Sequence, residues 1–233
     1  MLFPTATGRG LKIAVIDSGV NARHPHICAP IHGVLIGSET DESSCDDPVG
    51  HGTAVTAAIQ EKAPAAEYYA LKLFGVSLRA TSERLITAIE WTIENRMDLV
   101  NLSLGTSNFD CRDRLQSLVE RAASSGTLLV AARNAGSNPV LPGALEGVIG
   151  VDVDWDLPRD RYRMAAPDGS PYFLASGYPR PLPGVSPARN LNGISFAVAN
   201  MTGFVARACE GLPSRSFREV CEALAAEALI PAT

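Results

Sequence analysis

The sequence predicts an α/β protein, a doubly wound and mainly parallel sheet flanked by helices, and three observations predict it. Short, nearly all-apolar runs recur along the chain, each bounded by polar residues or glycine. Stretches with apolar residues at helical spacing lie between them. Strand and helix alternate over most of the length, and in such folds reactive groups collect beyond the carboxyl ends of the strands.

Leu11 to Ile16 is the first apolar run, and it stops in the polar turn Asp17-Ser18-Gly19. Tyr68 to Leu73, Leu99 to Ser103, Thr127 to Ala132 and Val148 to Val151 repeat the pattern and read as interior strands. Helical spacing covers Thr53 to Glu61, directly after His51. It returns in Ser82 to Asn95, with Leu85, Ile86, Ile89 and Ile93 on one face, and in Arg112 to Ser125, with Leu115, Leu118, Val119 and Ala122. Ser82 with Glu83 suits a helix start, and Ser124-Ser125-Gly126 a stop.

From Asp154 to Asn192 proline, glycine and arginine predict loops with short strands. A helix is expected from near Ser195 to about Cys209. A last surface helix follows over Ser216 to Ala226, its stripe formed by Phe217, Val220, Cys221 and Leu224. With 233 residues, 46% of them hydrophobic, the chain suffices for one substantial core, so residues 1–233 are read as a single domain.

The 25 acidic and 20 basic residues leave a formal charge of -5, scattered rather than blocked, which argues against a nucleic-acid or anionic-membrane partner. No stretch approaches the roughly 20 uninterrupted apolar residues of a spanning helix. Met1 to Gly10 has no apolar run of signal-peptide length, so a soluble cytoplasmic protein is expected. The five cysteines, Cys28, Cys45, Cys111, Cys209 and Cys221, include no Cys-x-x-Cys pair and fit reduced thiols. A Cys28–Cys45 bridge stays open, because both fall in loop-like sequence.

Three polar segments carry chemistry. Asp17 ends a strand, His51 sits in Gly50-His51-Gly52-Thr53 before a helix, and Ser195 sits in Asn192-Gly193-Ile194-Ser195 before another. A carboxylate, an imidazole and a hydroxyl are what nucleophilic catalysis by serine requires: an orienting acid, a base and the nucleophile. Taken singly, each has an ordinary structural role as turn, loop or helix cap.

Together, Asp17-Ser18-Gly19, Gly50-His51-Gly52-Thr53 and Asn192-Gly193-x-Ser195-x-Ala197 resemble the three signature segments of the subtilisin-like serine proteases, in that family's order. The likeness spans about residues 11–210, leaving 211–233 for the C-terminal helix. It includes Val100-Asn101-Leu102-Ser103-Leu104-Gly105, similar to the segment lining the substrate cleft, and Ala131-Ala132-Arg133-Asn134, similar to the one holding the oxyanion asparagine. The resemblance implies a serine endopeptidase acting on peptide or protein substrates through an acyl-enzyme. Asp17, His51 and Ser195 would be its triad, and the Asn134 amide with the Ser195 backbone N–H its oxyanion hole. Losing such an Asn donor lowers kcat by ~10²–10³, a scale set by a subtilisin.

The resemblance further implies that Ser103-Leu104-Gly105 and Ala131-Ala132, with Arg133, wall the primary specificity pocket. Leu78-Arg79-Ala80 would pair with extended substrate as an edge strand. Two positions depart from the pattern: Arg133 stands where the family has Gly, and Ala199 where it has Pro. Arg133 either selects an acidic side chain before the scissile bond or is a solvated or structurally paired cation.

The family's tight calcium site is not expected. The chain begins close to its first strand, His26 replaces the liganding Asp after His24-Pro25, and Ile59 runs straight through Ala63-Pro64 without the ligand loop. No cofactor is therefore expected, nor a pro-region of the usual size, and the picture is of an intracellular processing protease with a narrow substrate. Two rivals use the same scaffold: a peptide macrocyclase or transpeptidase on this triad, and a non-catalytic module that keeps the peptide cleft.

Overall fold

The structure, a computed structural model, describes residues 3–36, 45–75, 79–166 and 170–229. Its strands are β1 (Lys12–Asp17), β2 (Ile31–Leu35), β3 (Glu67–Lys72), β4 (Leu99–Leu102), β5 (Leu128–Ala132), β6 (Asn134–Ala135), β7 (Asn138–Pro139), β8 (Ile149–Val153), β9 (Tyr162–Ala165) and β10 (Tyr172–Ala175). The helices are α1 (His51–Gln60), α2 (Ser82–Glu94), α3 (Arg112–Ser125), α4 (Ile194–Glu210) and α5 (Phe217–Glu227). Eight strands form one sheet in the order β2-β3-β1-β4-β5-β8-β10-β9, and β6 pairs with β7 in a small hairpin. Every neighbouring pair in the large sheet is parallel except β9 with β10.

Alternation along each strand divides the core into two layers. On β1, Ile13 and Val15 face a cluster shared with Val55 and Ile59 of α1, Phe196 and Phe204 of α4, and Leu224 of α5. Ala14 and Ile16 face the opposite cluster, with Leu85 and Ile89 of α2 and Leu115 and Leu118 of α3. Burial on both faces explains why these strands read as unbroken apolar runs. Phe196 and Phe204 are fully buried, each stabilising the fold by roughly 1.5–3 kcal/mol relative to exposure.

The chain runs from β1 outward to β2 and β3, then returns to the other side of β1 as β4. The order therefore reverses between β1 and β4, and the crevice beyond their carboxyl ends is where such sheets place reactive groups. Asp17 closes β1, and Ser103 follows the last residue of β4.

The sequence expectations for α2, α3, α5 and the interior strands agree with these elements to within a residue or two. The α2 cap is Thr81 rather than Ser82: its hydroxyl accepts from the Arg84 N–H at 3.3 Å. Two helix starts differ in a way that matters to the site, because α1 begins at His51 itself and α4 at Ile194. Edge strand β2 was not expected. Its half-exposed residues Ile31-His32-Gly33-Val34-Leu35 lack both an apolar run and regular alternation.

Candidate active site

Asp17 is buried at the end of β1, 1% exposed. Its Oδ1 accepts from the Ser18 N–H at 2.7 Å and from the Ser18 hydroxyl at 3.2 Å, and lies 2.8 Å from His51 Nδ1. Close approach of α1 makes the last contact available. A Cβ on Gly52 would stand 2.2 Å from the Gly19 carbonyl oxygen and 3.2 Å from Asp17 Oδ1, so only glycine lets the helix start there.

His51 occupies the first position of α1, and its ring is fixed by Asp17. Burial opposes protonation of this imidazole, but the hydrogen bond and charge of Asp17, with the charge of Asp47, outweigh it and hold the pKa above 6.5. Asp47 anchors the helix start. Its carboxylate accepts from the backbone N–H groups of Val49, Gly50 and Thr53 and from the hydroxyls of Ser18 and Thr53, at 2.7–3.0 Å. Burial would raise its pKa, yet these bonds hold it below the usual carboxylate value. The sequence reading missed Asp47; an acid four residues before a His at a helix start was the available signal.

Ser195 lies in the first turn of α4, one residue inside it, rather than before the helix. Gly193 precedes the turn at φ 149°, a conformation that L side chains rarely adopt. The Ser195 backbone N–H thus belongs to the unpaired donors of a helix N-terminus. The next residue, Phe196, has its ring centroid 5.8 Å from that of His51, which brings the starts of α1 and α4 to one corner of the crevice.

The Ser195 hydroxyl donates to the Ser103 carbonyl at 3.2 Å, and the Ser103 hydroxyl donates back to the Ser195 carbonyl at 3.1 Å. Among the described residues no hydrogen bond joins Ser195 to His51. Buried Asn101 supports this corner: it donates to the Ser103 hydroxyl and accepts from that of Thr202 on α4, both at 2.9 Å. Ser103 therefore ties the Ser195 segment to the end of β4, a role the sequence reading did not give it.

Asn134, in β6, spends its side-chain amide elsewhere. Nδ2 stands 2.8 Å from both carboxylate oxygens of Asp152 on β8. The neighbouring Arg133 places Nη1 3.4 Å from Asp152 Oδ2 and stacks its guanidinium 4.2 Å from the centroid of Tyr172. Of the two readings of Arg133, this geometry matches the paired cation.

Arg79 and Ala80 share a cavity of about 390 Å³ with Leu104, Gly105, Thr81 and Leu85. Leu78 lies outside the described residues, and Arg79 and Ala80 are exposed and outside any strand. Ala131 and Ala132 are buried within β5. All five cysteines carry free thiols, including Cys28 and Cys45. No described helix is long and apolar enough to cross a membrane, and no described group of three His, Cys, Asp or Glu side chains could hold a metal ion.

The parallel sheet thus brings an acid-supported imidazole and a serine to two helix starts beyond its switch point. The family model of the subtilase family matches residues 8–152. Subtilisin BL of Lederbergia lenta is 30% identical over 223 residues, covering 90% of this chain and 80% of that protein. The chain belongs to the subtilase family.

The minor extracellular protease Epr of Bacillus subtilis (strain 168) is 39% identical over 159 residues, which is 63% of this chain and 24% of Epr. Subtilisin E of the same organism is 34% identical over 142 residues, 57% of this chain and 36% of subtilisin E. The chain thus spans only about a quarter to a third of these two relatives. A solved cold adapted subtilisin-like serine proteinase shares the fold, with a TM-score of 0.74 at 19% identity over 95% of this chain and 83% of that one.

Proposed function

We propose that this chain hydrolyses peptide bonds through an acyl-enzyme, with Ser195 as nucleophile, His51 as base and acid, and Asp17 as the orienting carboxylate. The observation that carries this reading is the 2.8 Å contact of His51 Nδ1 with buried Asp17 Oδ1. It fixes the tautomer that leaves Nε2 free to accept a proton.

In this mechanism the Ser195 hydroxyl turns from the Ser103 carbonyl to His51 when substrate binds, since catalytic hydrogen bonds commonly tighten only in the substrate complex. Oγ attacks the scissile carbonyl carbon, and its proton passes to His51 Nε2. The Ser195 backbone N–H at the start of α4 and the Asn134 amide meet the negative charge on the tetrahedral oxygen. Collapse breaks the C–N bond, and His51 returns the proton to the leaving amine. Water then attacks the acyl ester with His51 again as base, releasing the acid and restoring Ser195.

The cleft between Arg79-Ala80 and Leu104-Gly105 holds the extended substrate on this reading. We further infer a cytoplasmic processing protease of narrow specificity. The five free thiols, three of them buried, fit a reducing compartment. Profiling of proteome-derived peptides with the purified chain, beside Ser195→Ala, tests the function. Cleaved products gained with water are expected from the wild type alone. Products without added water would establish cyclisation instead, and equal product from Ser195→Ala would remove the assignment.

A further inference from the structure

The chemistry proposed for Ser195 needs the Asn134 amide at the oxyanion, yet in the resting chain that amide is held by a carboxylate. Residues of β8 alternate in direction: Ile149 and Val151 belong to the layer shared with α4. Asp152 lies between Val151 and Val153 and so points to the other face of the sheet. It stands level with the end of β5, where the Arg133 N–H bonds the Val151 carbonyl. From there it draws Asn134 Nδ2 to within 2.8 Å of both its oxygens. A charge-assisted bond of this kind is roughly twice as strong as a neutral one.

Resting on the protease reading above, we propose that Asp152 is a positioning residue that latches Asn134 away from the oxyanion hole, and that Arg133 is the group that takes over the carboxylate when the amide turns to substrate. Two effects act in one direction. The latch bond must break before the amide can serve the oxyanion, and the carboxylate's negative charge beside Asn134 opposes the charge growing on the tetrahedral oxygen. Arg133 is suited to the exchange because it is already 3.4 Å from Asp152 Oδ2, held flat on Tyr172, and part-exposed. Strengthening the Arg133–Asp152 pair compensates the carboxylate for the donor it gives up.

The test is the rate at which a fluorophosphonate labels Ser195, a reaction in which Oγ bonds to phosphorus, fluoride leaves, and the hydroxyl proton goes to His51. The phosphoryl oxygen takes the oxyanion position. Asp152→Asn keeps the shape and removes the charge, and Asp152→Ala removes the latch altogether. Both should raise the limiting labelling rate about tenfold while leaving the concentration for half-maximal rate unchanged, as expected for replacing a charge-assisted bond by a neutral one or none. In an Asn134→Ala background neither change should accelerate labelling. An active enzyme whose rate falls or stays the same in Asp152→Asn and Asp152→Ala overturns the latch and leaves the protease reading standing. Acceleration that persists without Asn134 also overturns it. A chain whose Ser195 is inert in every form overturns both.

Discussion

Asp17 Oδ1 and His51 Nδ1 stand 2.8 Å apart across the β1–α1 junction, with the carboxylate buried and the imidazole reaching the crevice. Asp17→Asn offers an amide in place of the acceptor that orients the ring, and loss of the correct tautomer lowers kcat by about 10⁴ in a serine triad. The pH profile tests the same contact. His51 must be neutral to accept a proton, and its pKa is raised, so kcat/KM should rise with pH through a midpoint above 6.5. The stability sign is opposite: a raised imidazole pKa stabilises the fold fully below 6.5, and that contribution is lost as pH climbs through the folded-state value. An activity midpoint below 6.5 would contradict the assignment.

Ser195→Ala removes a hydroxyl whose only hydrogen bond among the described residues is to the Ser103 carbonyl. Labelling by fluorophosphonate and peptide cleavage should vanish. Unfolding free energy should change by about 1 kcal/mol or less, the net worth of one ordinary hydrogen bond. A denaturant titration beside the activity assay reads both. Loss of the folded state would show that Ser195 is structural first.

Asn101 links β4 to both Ser103 and Thr202 and is fully buried. Asn101→Ala leaves the Thr202 hydroxyl without its acceptor and the Ser103 hydroxyl without a donor, which should cost about 1–3 kcal/mol of stability. It should also slow Ser195 labelling, because Ser103 holds the Ser195 segment through two bonds. A variant as stable and as fast as the wild type would show that the network does not position the nucleophile.

These residues also show what the sequence could and could not reveal. Asp17, His51 and Ser195 stand out because each sits in a short polar, glycine-containing segment at a strand end or helix start, and because their segments fall in a known order. Interior strands were legible for a similar reason: burial on both faces leaves no polar alternation to obscure them. Strand β2, half-exposed and interrupted by Gly33, left no such pattern. Asn101 and Asp152 were not legible, because the partners that give them their importance, Thr202 and Asn134, lie 101 and 18 positions away. A lone carboxylate or amide in the sequence carries no mark of the partner it will meet.

Lys62 gives a prediction remote from the crevice. Its amine is buried between the end of α1 and the middle of α4, 2.7 Å from Asn200 Oδ1, 3.7 Å from Glu61 Oε2 and 5.3 Å from the Phe204 ring centroid. Burial and then the charge of Arg159 outweigh the pull of Glu61 and Asp160, and the pKa falls from 10.5 to about 7. Between those values the unfolded chain binds a proton that the folded chain does not, so this group makes stability rise with pH over that window, by at most ~1.4 kcal/mol per unit. Lys62→Met should remove that slope. Urea midpoints at pH 7, 8 and 9 for the two proteins give the comparison. Parallel curves would mean that the amine keeps its proton in the fold and that Asn200 and Glu61 outweigh burial.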